Sequence, residues 1–148
     1  MLFALKIGLT NSRDQTVVKV LFDHNMPPSI ARALHCIVSI DGHEAYALRD
    51  KYDKKIKDIE LYTQLGKEKD WVVISKDVSQ AKRPPERAAI LRSGVVAIFL
   101  APTVEKLAPH QQAATILWHW DAIVRQRTSQ QNGLFLLPIN KGSKFRSL

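Results

Sequence analysis

Residues 71–75, Trp-Val-Val-Ile-Ser, form the clearest strand pattern in the sequence, and the fold prediction starts from them. It is apolar, rich in β-branched side chains and too short for an ordinary helix, so we interpret it as a buried strand. Similar apolar runs occupy residues 17–22 and 95–100. Apolar strands without alternating polar residues are typical of a parallel sheet that helices cover on both sides.

Helical patterns lie between these strands. Helices are predicted from residue 28, over 57–69, over 84–91 and from 109 to about 127. A short strand is also predicted at 44–48, and a last strand at 133–139. Strands that alternate with helices in this way predict an α/β fold, a three-layer sandwich with a central, mainly parallel sheet and a Rossmann-like topology.

Two of the helices carry side chains that are expected to face the sheet. In the second helix, the spacing of three and four residues places Ile59, Tyr62, Leu65 and Gly66 on one side. Cys36 lies within the apolar stripe of the first helix, so we expect it to be a small buried residue.

Length and composition limit the class of protein. The chain has 148 residues, a net charge of +8 and one cysteine. It is long enough to form one domain with its own core, and a lone cysteine excludes an intramolecular disulfide and a thiolate zinc site. We divide the sequence into an N-terminal extension (1–16), one domain (17–140) and a basic C-terminal tail (141–148).

The sequence predicts neither a membrane protein nor a secreted one. It has no run of about 18 apolar residues, the length that a spanning helix needs. Its first residues become charged at Lys6, before a signal-type apolar region has formed. We therefore expect a cytoplasmic protein without a membrane partner.

Three aspartates are predicted to meet at one edge of the sheet. Asp23 follows the first strand, Asp77 follows the strand at 71–75, and Asp58 begins the helix between them. In open parallel sheets, ligands bind at the carboxyl ends of the strands. Each aspartate also stands near a helix start, where a capping role is the alternative interpretation, and spacing alone does not separate the two.

Three carboxylates in one cleft repel one another, so they are ionised together only around a cation. Hard oxygen ligands in this number suit Mg²⁺ or Mn²⁺. Such a metal lowers the pKa of a bound water and stabilises the charge on a phosphodiester under attack. The neighbouring Asn25 could orient a water or hold the Asp23 loop. Ser75 could hydrogen-bond phosphate or a ligand carboxylate, or it could cap a turn.

Four sequence blocks together resemble one protein family. They are Val20-Leu-Phe-Asp-His-Asn-Met-Pro27, Gly42-His43-Glu44, Lys57-Asp58-Ile-Glu60-Leu61 and Val73-Ile-Ser-Lys-Asp77. In type and order they are similar to the PIN-like domain family, and more narrowly to its compact branch related to VapC-type toxin ribonucleases. The resemblance runs from about residue 17 to residue 100.

This resemblance implies a Mg²⁺- or Mn²⁺-dependent ribonuclease, with Asp23, Asp58 and Asp77 as its acidic cluster, and a cognate antitoxin protein that blocks the cleft. One departure matters. The branch usually carries a second aspartate two residues beyond the last one and then an aromatic residue, whereas this chain has Ser79 and Gln80. Two interpretations of this departure stay open: either Glu60 or Asp53 replaces the missing carboxylate, or the activity is weak or lost.

The basic residues are unevenly distributed along the chain. Residues 1–77 contain 12 basic and 11 acidic residues, whereas residues 78–148 contain 10 and 3. A basic surface beside an acidic metal cleft suits RNA, because flanking phosphates need cations. The predicted RNA contacts are Lys76, Lys82, Arg83 and Arg87. Trp118, His119 and Trp120 could stack unpaired bases, although such aromatics are more often core or partner contacts.

We therefore expect a metal-dependent endoribonuclease, the toxin component of a type II toxin–antitoxin pair, that hydrolyses RNA phosphodiester bonds. Its expected partners are RNA and the antitoxin, and a homodimer is one of the assemblies considered. The alternatives are a non-catalytic PIN-like module that binds RNA, for which Ser79 is the main argument, and a protein whose basic surface docks an acidic partner.

Overall fold

The computed structural model describes residues 17–129 and 132–148, so the predicted extension at 1–16 lies outside the described residues. Its centre is one six-stranded sheet with the order β2-β1-β3-β4-β5-β6. All neighbouring strands are parallel except β5 and β6. The strands are β1 (Lys19–Phe22), β2 (Glu44–Ala47), β3 (Trp71–Ser75), β4 (Val96–Leu100), β5 (Gly133–Leu137) and β6 (Arg146–Ser147).

Helices cover both faces of the sheet, so the predicted α/β sandwich is confirmed. The helices are α1 (Pro28–Val38), α2 (Leu48–Lys51), α3 (Asp58–Lys67), α4 (Pro84–Ser93), α5 (Pro102–Glu105), α6 (Pro109–Trp118) and α7 (Trp120–Ser129). Short 3-10 turns span Ser39–Asp41 and Val78–Ala81. Among the described residues, no helix has the length and apolar character needed to cross a membrane.

Two separate apolar cores explain why the central strands are apolar throughout. One core packs α1, α5, α6 and α7 against one face of the sheet, and the other packs α2, α3 and α4 against the opposite face. In β3 and β4 every residue is buried, because alternate side chains enter alternate cores.

The prediction of one long helix from residue 109 to about 127 is wrong, because the chain forms two helices, α6 and α7, that are separated at His119. This residue has φ −93° and ψ 8°, outside α-helical values. Its ring is buried, and Nε2 lies 2.8 Å from the carbonyl oxygen of Pro138. Burial lowers the pKa of His119 more than this hydrogen bond raises it, so the ring favours the neutral form.

Three smaller expectations also need correction. Ile59 is exposed, although Tyr62 and Leu65 of the same predicted side are buried. Cys36 is exposed as well, and the buried residues of α1 are Ile30, Ala31, Leu34 and Val38. Leu61 faces the core in place of Ile59. The sequence also does not predict β6, in which Arg146–Ser147 pairs with β5 at the end of the predicted tail.

Gly66 allows α3 and α4 to pack closely, and its replacement provides a test of that contact. A Cβ atom at this position would lie 2.6 Å from the carbonyl oxygen of Ser93, which is backbone and cannot rotate away. We expect Gly66→Ala to lower the free energy of unfolding by about 1–3 kcal/mol through overpacking, although alanine favours helices. Urea denaturation measures the change. Gln64→Ala, at an exposed position of the same helix, is the control and should be nearly neutral. A Gly66→Ala variant as stable as the wild type would contradict this packing.

Candidate active site at the carboxyl edge of the sheet

Asp23 and Ser75 are brought together because β1 and β3 are adjacent and parallel. The backbone N–H of Asp23 donates to the carbonyl oxygen of Ile74 at 2.9 Å, which continues the pairing past Phe22. The two side chains then meet directly, since Ser75 Oγ donates to Asp23 Oδ2 at 3.0 Å. The carboxyl ends of β1 and β3 therefore meet at this edge of the sheet through Asp23 and Ser75.

The Asp23 carboxylate is buried, with 3% of its surface exposed, and accepts hydrogen bonds at both oxygens. Oδ1 accepts from the backbone N–H of His24 at 2.8 Å, and Nδ1 of the same histidine lies 2.9 Å away. Oδ2 accepts from Ser75 and from Gln80 Nε2 at 3.1 Å. These donors fix the orientation of the carboxylate.

Gln80 connects Asp23 to the buried tyrosine of α3. Tyr62 Oη donates to Gln80 Oε1 at 3.1 Å, and both side chains are buried. Burial, and then the nearby carboxylates of Asp23, Asp58 and Asp77, raise the pKa of Tyr62 well above its ordinary value. The hydroxyl therefore stays protonated and remains a donor. Sequence reasoning treats Gln80 only as a departure from the family pattern and misses this role.

Asn25 and Ser75 join the two strand ends. Asn25 Nδ2 donates to Ser75 Oγ at 3.1 Å, and its Oδ1 accepts from the backbone N–H of Lys76 at 3.2 Å. Ser75 Oγ also accepts from the backbone N–H of Asp77 at 3.0 Å. Of the two interpretations of Asn25, the structure shows the one in which it holds the Asp23 loop.

Asp58 is the first residue of α3 and is half-buried. Burial raises its pKa most, followed by the charges of Asp23 and Glu86, while His24 and Arg83 act weakly in the opposite direction. Its carboxylate has no hydrogen bond or ion pair with another residue in the described part of the chain. It lines a groove of about 550 Å³ between the starts of α3 and α4, together with Glu86.

Glu86 is a fourth acid at this site that sequence reasoning misses. It lies in the first turn of α4, and only the packing of α4 beside α3 brings it near Asp58. Neither Asp23 nor Asp58 caps a helix, because the N-cap residues of α1 and α3 are Pro27 and Lys57. The capping alternative therefore does not explain these two carboxylates.

Asp77 is paired with Arg83. Ser79 Oγ donates to Asp77 Oδ1, and Arg83 Nη2 lies 3.4 Å from Asp77 Oδ2. Burial alone would raise the pKa of Asp77, but the hydrogen bonds from Ser79 and Arg83 outweigh it and lower the pKa. Arg83 also binds Ser79 Oγ at 2.6 Å and Glu86 Oε2 at 2.5 Å. The guanidinium thus neutralises two acids of the site.

The remaining candidates are the two other acids and the three other basic residues that the sequence singles out. Glu60 is exposed on α3 and is not among the groups that shift the pKa of Asp58. Asp53 accepts from the backbone N–H of Lys55 at 2.9 Å and so stabilises a turn. Lys82 is exposed and Lys76 half-buried, whereas Arg87 donates to the carbonyl oxygens of Ala81 and Leu148.

The donor set fits a hard divalent cation by its chemistry. All the acids are oxygen ligands, and Asp58 has a raised pKa and no counter-ion among the described residues. The side chains are not gathered around one point, however. Within residues 17–129 and 132–148, no three His, Cys, Asp or Glu side chains are placed so that they could hold one metal ion.

Replacing Asp58 should make stability less sensitive to pH. Because the folded state raises the pKa of Asp58, ionisation favours unfolding, and stability is lost as pH rises above about 3.9, the unfolded value. We expect Asp58→Asn to gain on the order of 0.5 kcal/mol relative to the wild type between pH 3 and pH 7, a small value because solvent screens this half-exposed group. Urea denaturation across this pH range measures the gain.

Asp50→Asn is the matched control, with the opposite sign. A hydrogen bond from Arg32 lowers the pKa of Asp50, so its ionisation stabilises the folded state. The Asp50→Asn variant should therefore lose stability relative to the wild type as pH rises. The same pH dependence in both variants would contradict the described surroundings of Asp58.

The comparisons with known proteins give one match, to a family model. The family model described as PIN-like domain matches residues 18–102, which include Asp23, Asp58, Asp77 and the strands β1 to β4. No curated protein matches the chain, and no solved structure does. The family match covers more than half of the chain and contains the strand ends described above, and the chain therefore belongs to the PIN-like domain family.

Proposed function

We propose that this protein is a metal-dependent endoribonuclease that hydrolyses RNA phosphodiester bonds at Asp23, Asp58 and Asp77 with Mg²⁺ or Mn²⁺. The observation that carries the proposal is the position of Asp58, a half-buried carboxylate in the groove between α3 and α4 that has no hydrogen bond or ion pair with another described residue. Burial first, and then the charges of Asp23 and Glu86, raise its pKa. Family membership supports it, because the acids lie within the matched residues.

Each acid has a separate part in this proposal. Asp23 is a fixed carboxylate, because Ser75 and Gln80 hold one of its oxygens. Asp58 faces the groove and supplies the charge that a cation would neutralise. Asp77 stands at the more open side, 39% exposed. A bound divalent ion would supply an acidified water and stabilise the charge that develops on the phosphodiester.

RNA would enter over the open side of the site, beside Asp77. Lys76 and Lys82 flank this residue and are the proposed phosphate contacts. Arg83 is the third candidate, and it would exchange its contacts with acids for a phosphate. Arg87 is already bound to the backbone of Ala81 and Leu148, so we assign it to holding the end of the chain.

Cleavage of a single-stranded RNA with and without divalent metal tests the proposal. We expect endonucleolytic products with Mg²⁺ or Mn²⁺ and none in EDTA, because the acids alone provide no cation to stabilise the attacked phosphate. Gel electrophoresis of an end-labelled RNA measures the cleavage products. Metal-independent cleavage, or intact RNA at every metal concentration, would overturn the assignment.

We further propose that the protein is a cytoplasmic toxin of the VapC type, neutralised by an antitoxin that covers the acidic site. This step rests on the sequence blocks around Asp23 and Asp77 alone. Controlled expression should arrest growth, and co-expression of a small protein from the adjacent reading frame should relieve the arrest. Normal growth on expression of the active enzyme would contradict the toxin role.

A second candidate function is RNA binding without catalysis. It is favoured by the Ser79–Asp77–Arg83 cluster, in which a hydroxyl stands where the related branch carries a carboxylate and an arginine neutralises Asp77. This alternative predicts salt-sensitive RNA binding that EDTA does not change, together with intact RNA. The cleavage experiment separates the two functions.

A further inference from the structure

A second cavity, of about 480 Å³, lies where α6 meets α7 and faces the loop after β5. Its volume is within the range of about 300–1,000 Å³ that is usual for ligand sites. The residues that line it include Trp118, Arg125, Lys141, Lys144 and Phe145. It shares no residue with the acidic site, and the proposed cleavage mechanism does not use it.

Trp118 is the unusual residue of this cavity. Its surface is 58% exposed, whereas Trp71 is buried and Trp120 packs against the apolar core. Lys141 Nζ lies 3.6 Å from the centroid of the Trp118 ring, a close cation–π contact. An indole that neither core covers therefore stands beside a cation at the mouth of a cavity.

The charges around Trp118 favour an anionic ligand. Arg125, Lys141 and Lys144 are exposed, and among the described residues Asp121 is the only acid that lines the cavity. Neither Arg125 nor Lys144 forms an ion pair with a carboxylate of the described residues. The cavity combines a flat aromatic surface with unneutralised cations, the two features with which proteins hold single-stranded nucleic acids.

We propose that this cavity binds one nucleotide of a single-stranded RNA at a distance from the cleavage site. The base stacks on the part of Trp118 that Lys141 leaves uncovered, and Lys141, Lys144 and Arg125 contact the adjacent phosphates. This inference rests on the proposed function in one respect, because it takes RNA as the ligand, and it does not require that the protein cleaves RNA. An acidic peptide would use the same cations but has no base to stack on the indole, so the exposed ring favours RNA.

The test measures the Kd of the full chain for a single-stranded oligouridylate in EDTA, so that no cleavage occurs. Trp118→Ala should weaken binding roughly 5- to 100-fold, the range for the loss of one stacked base, and Trp118→Phe should restore most of it. Lys144→Ala should reduce the slope of log Kd against log salt by about 0.7. Lys69→Ala, an exposed lysine outside the cavity, is the matched control and should change neither.

An abasic strand of the same length separates stacking from charge. The wild type should bind it more weakly than the oligouridylate, and Trp118→Ala should bind both alike. Equal Kd values for wild type and Trp118→Ala would overturn the inference. So would Trp118-dependent binding of an oligoglutamate peptide without binding of the oligouridylate. Trp118-dependent RNA binding by a protein that does not cleave RNA with Mn²⁺ would support this inference and overturn the proposed nuclease function.

Discussion

Replacing Asp77 by asparagine is expected to lower Mn²⁺-dependent RNA cleavage by about 10²–10³-fold, the usual loss when one charge-stabilising group of an active site is removed. The variant keeps the size of the side chain and its contact with Ser79 but removes the charge that faces the open side of the site. The residue is 39% exposed, so the fold should be retained. Initial cleavage rates at saturating Mn²⁺ measure the effect.

Asp41→Asn is the control, because Asp41 is an exposed acid at the end of a 3-10 turn, on the amino side of β2. The Asp41→Asn variant should cleave at the wild-type rate.

Asp23→Asn should also lose cleavage, but it tests the role of the carboxylate less directly, because the change lowers stability as well. An asparagine amide group would face the donors that now bind the carboxylate, at a cost of about 1–3 kcal/mol of stability. Wild-type cleavage by Asp77→Asn would remove this residue from the site.

Gln80→Leu should lower the free energy of unfolding by about 2–4 kcal/mol, because it breaks two buried hydrogen bonds and leaves groups unsatisfied. Asp23 Oδ2 would lose one donor, and Tyr62 Oη would lose its acceptor in a fully buried position. Denaturant unfolding measures the loss. Cleavage should fall as well, since Asp23 would no longer be held at Oδ2 by both donors.

Tyr62→Phe provides the control for this network. Combined with Gln80→Leu, it removes the unsatisfied hydroxyl, so the double variant should lose less stability than the sum of the two single changes. Additive losses would show that the hydrogen bond from Tyr62 to Gln80 does not couple the two positions.

The sequence predicts the central part of the fold well, for a physical reason. β3 and β4 are buried on both faces, so their apolar character appears directly in the residues. The break between α6 and α7 could not be predicted in this way. It lies at His119, whose ring contacts the carbonyl oxygen of Pro138, and no local pattern in the sequence indicates a contact across 19 residues.

The same limit applies to the site. The rule for parallel strand ends predicts that Asp23 and Asp77 lie at the same edge of the sheet, because it depends only on topology. In the structure Ser75 Oγ contacts the Asp23 carboxylate and the backbone N–H of Asp77 at this edge. This rule does not predict Glu86 or Gln80. Glu86 reaches the site because α4 packs beside α3, and Gln80 reaches it from a 3-10 turn. Arg83 is a predicted RNA contact, and its ion pairs with Asp77 and Glu86 depend on the fold, so no local pattern predicts them.

Calorimetric titration of Mn²⁺ into the RNA-free protein measures directly whether the acids of this site bind a divalent cation. We expect saturable binding to the wild type, with much weaker binding to Asp58→Asn and Asp77→Asn and unchanged binding to Asp41→Asn. The absence of saturable binding to the wild type, or equal binding to all four proteins, would contradict it.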